Sequence, residues 1–156
     1  MLARAPGKLI DAPFAASISQ CCTTLGGTIL DLELDPARED ALESSIGSEK
    51  VDLIVLECAG LFAGVESSDG LRACMDGAWN VTQAVVNQVF LKAGAGRIVY
   101  LAPTAEHGQS AFAARAGLEN LARTLSIEWA RHGITAVAIA PGSTACADEV
   151  ATLIAY

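Results

Sequence analysis

Between Pro103 and Ser110 stand four side chains of the kind that move protons: Thr104, Glu106, His107 and Ser110. A hydroxyl beside an imidazole is a simple nucleophile–base couple, so Ser110–His107 or Thr104–His107 is one acid/base reading of this stretch. An ordinary polar loop, with Ser110 or Gln109 capping the next helix, is the other. The remaining reactive groups are five cysteines, Cys21, Cys22, Cys58, Cys74 and Cys146. Their odd number and irregular spacing make a poor disulfide framework. No Cys or His pair has zinc-ligand spacing, and His107 and His132 are far apart, so no metal site is expected. Reduced, buried thiols are the expectation, and with them a cytoplasmic location. A thiol-based role for Cys58 or Cys74 would need a base that neither has beside it in sequence.

Phosphate binding asks for glycines between a strand and a helix, where backbone N–H groups can approach the ligand. Gly60 and Gly64 hold such places, but Glu57, Glu66 and Asp69 around them would repel phosphate. The G-x-G of Gly94-Ala95-Gly96 follows a helix and precedes a strand, the wrong context. Turns and helix ends account for these glycines. A net charge of −8, with ten scattered Lys and Arg, offers nucleic acid no basic face. No apolar run approaches a membrane span, since the richest, Val51–Val65, contains Asp52 and Glu57. The N-terminus, with Arg4, Lys8 and Asp11, lacks the apolar core of a secretory signal.

The elements that must position these groups alternate along the chain. At 156 residues, 52% hydrophobic and 18% charged, it fits one globular domain and excludes disorder. Thr28–Leu34, Val51–Glu57, Arg97–Ala102 and Ile134–Ala140 read as strands. Asp11 caps a helix over Ala12–Leu25 that ends at Gly26-Gly27. Asp35-Pro36 opens another over Pro36–Ile46, ended by Gly47. Ser67 or Ser68 caps a helix over Leu71–Lys92, closed by Gly94, and Gln109–Arg131 forms a long helix closed by Gly133. Asp148 caps a last stretch to Tyr156. This rhythm predicts an open parallel α/β sheet with helices on both faces. With the strands in sequence order, three crossover helices share one face. The other face keeps only the N-terminal and C-terminal helices, thin cover that a partner would complete.

From Val51 onward the motifs are more specific. GRIVYLAP, then ARAGLENLARTLSIEWARHGITAVAIAPG, and earlier VDLIVLECAG, resemble the short-chain dehydrogenase/reductase family of NAD(P)-dependent oxidoreductases. The resemblance spans roughly Gly26 to Tyr156 and implies a truncated Rossmann-like fold. It stops before the family's last strand and substrate-closing segment. It also implies a catalytic tyrosine, a lysine four residues later, a serine and an asparagine. Their positions here hold Ala111, Arg115, Pro103 and Cys74. Alanine and proline carry no proton to transfer, and arginine stays protonated. Thr104, His107 and Ser110 stand nearby as weak substitutes, with Glu106 in the same loop and Tyr100 in the strand before it.

The family's glycine-rich phosphate turn and its two N-terminal strands are expected to be absent, with residues 1–27 replacing that half. Near Cys146, with Thr144 two residues off, the family places a threonine that holds the cofactor carboxamide. The weak cofactor set is therefore Ala59, Gly60, Arg115, Pro141 and Gly142, and no cofactor is expected, NAD(P) being what the resemblance would supply. The resemblance further implies a four-helix dimer contact through helices 71–92 and 109–131. Leu118, Leu121, Leu125 and Trp129 form a stripe that Phe112, Ala116 and Ile127 widen. Met75, Trp79, Thr82 and Val86 form another, widened by Val81, Val85 and Phe90.

A catalytically degenerate family member serving as a scaffold or oligomer subunit is the expected function, as a homodimer or beside an intact family member. The alternatives are an NAD(P)-dependent oxidoreductase of 3-oxoacyl carrier-protein reductase type with a displaced site, and a small-ligand or acyl-group binding module near Leu61, Phe62 and Phe112.

Overall fold

Runs of branched residues in Leu53–Glu57 (β3) and Gly96–Leu101 (β4) pair as parallel strands, Ile54 opposite Ile98 and Val55 opposite Val99. They belong to a computed structural model that describes residues 2–4, 13–33, 50–62 and 67–156. Ile134–Ile139 (β5) extends the sheet beyond β4. Leu2–Arg4 (β1) and Asp31–Glu33 (β2) extend it beyond β3. All pairs are parallel, in the order β2-β1-β3-β4-β5.

Side chains alternate between the two faces of a strand, and here both faces are buried. Ile54, Leu56, Ile98, Tyr100 and Ala136 enter one core. It is closed by Ser68–Val85 (α3) and Ala111–Trp129 (α4). A π-turn over Val86–Phe90 and a last turn Leu91–Ala93 continue α3. Val55, Val99 and Leu101 enter the opposite core with Phe14, Ala15 and Ile18 of Pro13–Thr24 (α1) and Val150, Ala151 and Ile154 of Ala147–Ala155 (α5). The two terminal helices pack on each other and so cover the second face together. A four-residue helix, Ala59–Phe62 (α2), follows β3.

Several local signals act as expected. Ser67 Oγ accepts from the Gly70 N–H at 3.1 Å and caps α3. Gly94 and Gly133, at φ +68° and +67°, close the helices before β4 and β5 in the left-handed conformation open to glycine. The last helix differs: Cys146 precedes α5, and Asp148 lies inside the first turn with Glu149. There a carboxylate meets the positive end of the helix dipole rather than capping an N–H. Asp11, Ala12, Leu34 and the helix 36–46 with its flanking Asp35 and Gly47 lie outside the described residues.

The strand inventory needs a larger correction. An N-terminal strand exists: β1 occupies the sheet interior, paired with β2 on one side and β3 on the other. Three residues, one of them Arg4, are too few to show periodicity, which is why their sequence reads as irregular. The four long strands therefore do not lie side by side in sequence order. Of the strand predicted over 28–34, residues 28–30 lie outside a strand and Asp31–Glu33 pair with Leu2–Arg4 of β1.

Gly96 opens β4 beneath the fully buried Phe90, and a Cβ there would overlap the Phe90 ring. Gly96→Ala is expected to cost about 1–3 kcal/mol by overpacking. Chemical denaturation should show it as a lower midpoint at unchanged slope. Gly142→Ala, where a Cβ meets nothing within 4 Å, should leave the midpoint near that of the parent.

Candidate functional site

β1 and β3 are neighbours whose onward connections run to opposite sides of the sheet. In open α/β sheets a ligand crevice forms outside the carboxyl ends of strands at such a switch point. The carboxyl ends here are Arg4 of β1 and Glu57 of β3. Residues 5–12, which join β1 to α1, lie outside the described residues. Their sequence, Ala5-Pro6-Gly7-Lys8-Leu9-Ile10-Asp11-Ala12, holds one glycine. β1 is too short to show a strand period, so nothing in the sequence marks this segment as following a strand.

Glu57 is only 5% exposed, and its Oε1 accepts from the Ala59 N–H at 3.0 Å at the start of α2. Cys58 continues the ladder, its N–H donating to the Leu101 carbonyl at 2.9 Å. Its fully buried thiol donates to the Leu56 carbonyl at 3.4 Å. Burial foremost, then Glu57 and Cys74, pushes this thiol well above the ordinary thiol range. Burial also raises half-buried Cys74. Neither group is thereby activated as a thiolate nucleophile, which needs a lowered pKa.

Three of the four positions inferred from the family resemblance lie just after β4 and in the first turns of α4, while the fourth, Cys74, is on α3. Pro103 is buried, and Ala111 is 1% exposed, its methyl part of the packed interior. Arg115 is half-buried and reaches the chain after β5. Its Nη1 donates to the Pro141 carbonyl at 3.1 Å and its Nη2 to the Ala140 carbonyl at 3.2 Å. Two of its five N–H donors thus hold backbone of the Pro141-Gly142 turn.

Tyr100, the nearest phenol on β4, faces inward. Thr82 donates to the Ala78 carbonyl at 2.8 Å, which leaves its oxygen to accept from the Tyr100 hydroxyl, also at 2.8 Å. Burial raises the Tyr100 pKa and outweighs this hydrogen bond. The pair ties β4 to α3 inside the core.

Thr104 precedes the short 3₁₀ turn Ala105–His107, and Ser110 stands at the N-cap of α4, so all three polar candidates share one loop. The His107 side chain lies outside the described residues, so neither couple with it is assigned. The expected cofactor set falls into two groups. Ala59 and Gly60 begin α2 after β3, while Arg115, Pro141 and Gly142 gather after β5, with β4 between them.

Two expectations about apolar surface change. Phe62 is 1% exposed inside the main core and so forms no wall of a ligand cleft with the 67% exposed Phe112. The Leu61 side chain lies outside the described residues. Val81, Thr82, Val85, Val86 and Phe90 are all buried within the chain, so the second apolar side of α3 is covered internally. Trp79 stacks on Trp129, centroids 6.2 Å apart, where α3 meets the end of α4. On α4 the buried stripe is Ala111, Ala114, Leu118, Ala122 and Leu125, with Leu121 and Trp129 half-buried. Phe112, Ala116 and Ile127 face outward.

The family model described as short chain dehydrogenase matches residues 25–153. A tropinone reductase homolog of Arabidopsis thaliana is 26% identical over 129 residues, covering 74% of this chain and 48% of its own. The oxidoreductase UcpA of Salmonella typhimurium is 36% identical over 83 residues, 48% of this chain and 31% of its own. This chain thus spans less than half the length of either relative. Among solved structures, a short chain dehydrogenase/reductase family oxidoreductase from Burkholderia thailandensis superposes with a TM-score of 0.69 at 18% identity, covering 97% of this chain and 72% of its own. A gluconate 5-dehydrogenase from Burkholderia cenocepacia, solved with NADP and tartrate, gives 0.66 at 18% identity, over 97% and 74%. These two likenesses concern the fold.

The raised Cys58 and Tyr100 groups give stability a pH dependence of definite sign. Both are held protonated in the folded chain, whereas an unfolded thiol ionises from about pH 8.5 and a phenol from about pH 10. Above those values the unfolded chain binds fewer protons than the folded one, so stability falls as pH rises. The urea midpoint should be flat with respect to these groups from pH 6 to 8 and drop between pH 9 and 11. Tyr100→Phe should be less sensitive over the upper part of that range, and an equal slope in the two proteins would contradict the assignment.

Proposed function

Because this chain belongs to the short-chain dehydrogenase family, we propose that it is a member whose oxidoreductase site has been dismantled, and that it serves as a subunit of an assembly. The carrying observation is Ala111. The position matched to the family's proton-transferring tyrosine holds a buried methyl group that can neither give nor take a proton.

The surroundings support the same reading. Arg115, at the ribose-binding lysine position, already holds the Ala140 and Pro141 carbonyls. The segment between β1 and α1 has one glycine where the family's phosphate turn has three, and buried Glu57 ends the neighbouring β3. These residues do not fit a dinucleotide pyrophosphate, whose binding wants close backbone approach and positive potential. A displaced-site NAD(P)-dependent reductase is the second reading. It draws on the Pro141-Gly142 turn retained after β5 and on the polar loop of Thr104 and Ser110. Titration with NADH and NADPH by calorimetry and thermal shift separates the two, since a ligand of the folded state must raise its stability.

The assembly is proposed to form through α3 and α4, with a second copy or with an intact family member. The support lies on α4, where Phe112 is 67% and Ile127 75% exposed on the side away from the sheet. Leu121 is half-buried against the core and is unsuitable as a surface probe.

Two outcomes are expected. Ala111→Tyr alone should leave NAD(P)H oxidation at background across a carbonyl panel. One restored proton-transfer group is worth typically 10²–10⁴-fold only where cofactor and substrate are already held. Turnover by the unmodified protein would overturn the proposal. For assembly, multi-angle light scattering at micromolar concentration should give a dimer that Ile127→Glu shifts toward monomer. A parent that stays monomeric, alone and mixed with an intact family member, speaks against the interface.

A further inference from the structure

Residues 140–146 carry the chain from β5, in the sheet, to α5 on its second face. They form no helix or strand, and Gly142, Ser143 and Thr144 are exposed. A run of this kind ordinarily opens at little cost, because few contacts hold it. Its far end is held by packing, since Ala145 and Ala147 lie against the core of Phe14, Val55 and Val150. A turn bond, from the Ala145 N–H to the Gly142 carbonyl at 3.1 Å, shapes its middle.

The near end is held from the other side of the sheet, by Arg115 of α4, the helix that packs on the main core. Nη1 donates to the Pro141 carbonyl at 3.1 Å and Nη2 to the Ala140 carbonyl at 3.2 Å. Among the described residues, these are the only side-chain hydrogen bonds that reach 140–146. Pro141 supplies no N–H, so its carbonyl is the one backbone group through which it can be hydrogen-bonded. Two consecutive carbonyls thus meet one guanidinium, whose donors are fixed relative to one another in a planar fork. A lysine ammonium in the same place would bring the charge without the fork.

We infer that residues 140–146 form a strap across the rim of the sheet and that Arg115 is its fastening, tying the helix of one face to the start of the helix that covers the other. The sheet separates the two cores, and Ile139 at the end of β5 already packs on the second. The fork therefore links the layers directly, around the strand ends. It keeps the strap ordered although the middle is exposed. Releasing it frees the strap and the first turn of α5, where the Val150 N–H donates to the Cys146 carbonyl at 3.1 Å, and leaves the sheet intact. The inference rests on these bonds alone and is independent of both the proposed loss of chemistry and the proposed assembly.

Nitrogen-15 relaxation and native-state amide exchange on the parent, Arg115→Ala and Arg115→Lys test it. In the parent, the Gly142, Ser143 and Thr144 amides should have the order parameters of rigid backbone, about 0.85. Values in the flexible range, below about 0.6, overturn the inference without any variant, and so also where a variant does not fold. Arg115→Ala should lower protection of the Ala145 and Val150 amides roughly tenfold, the order expected for loss of charge-assisted bonds. The Cys58 amide, bonded to the Leu101 carbonyl within the sheet, should keep its protection to within about twofold. Arg115→Lys should behave as Arg115→Ala does, since it retains the charge and loses the fork. Unchanged protection at Ala145 in a folded Arg115→Ala, an equal fall at Cys58, or full protection in Arg115→Lys each overturns the inference.

Discussion

Parallel strands cannot be joined by tight turns, and each connection must cross the sheet and cover one of its faces. That constraint governs this chain. β3 and β4 are apolar on both faces, so Ile54 and Ile98 need α3 and α4 on one side while Val55 and Val99 need α1 and α5 on the other. Running all strands the same way also collects their carboxyl ends on one rim. Glu57, Pro103 and the Pro141-Gly142 turn meet there because of the connectivity, before any question of chemistry arises.

Several side chains near that rim make bonds within the fold. Active sites ordinarily keep polar groups aimed into a cleft at some cost in stability. Here Ala111 and Pro103 are buried, the Cys58 thiol is turned onto the Leu56 carbonyl, and Arg115 holds backbone after β5. Even the rim's phenol, Tyr100, hydrogen-bonds inward to Thr82. Each of these hydrogen bonds satisfies a polar group locally, which favours a settled core.

α4 shows how many tasks one helix can combine. Ala111, Ala114, Leu118, Ala122 and Leu125 press on the sheet, and Trp129 stacks on Trp79 of α3. Arg115 and Ser126 hold backbone in and just after β5, and Phe112 and Ile127 face outward. A single apolar stripe read at helical period cannot separate these roles, because hydrophobicity does not record which neighbour lies in which direction.

Amino-acid order alone determined the elements with strong local causes. β3, β4 and β5 are dense in branched residues, α3 starts at a capping serine, and α3 and α4 end at glycines that take left-handed conformations. That positions 103 and 111 carry no proton-bearing side chain was equally legible, since residue type decides it. Only the tertiary structure decided that Leu2–Arg4 is an interior strand, because three residues carry no period and become a strand through the ladders on both sides. The inward bond of Tyr100, the grip of Arg115 on two carbonyls and the bonds of Ser126 to Ala136 likewise depend on partners 18, 25 or 26, and 10 residues away in sequence. Such pairings follow from chain crossing and strand register, and no local pattern encodes them.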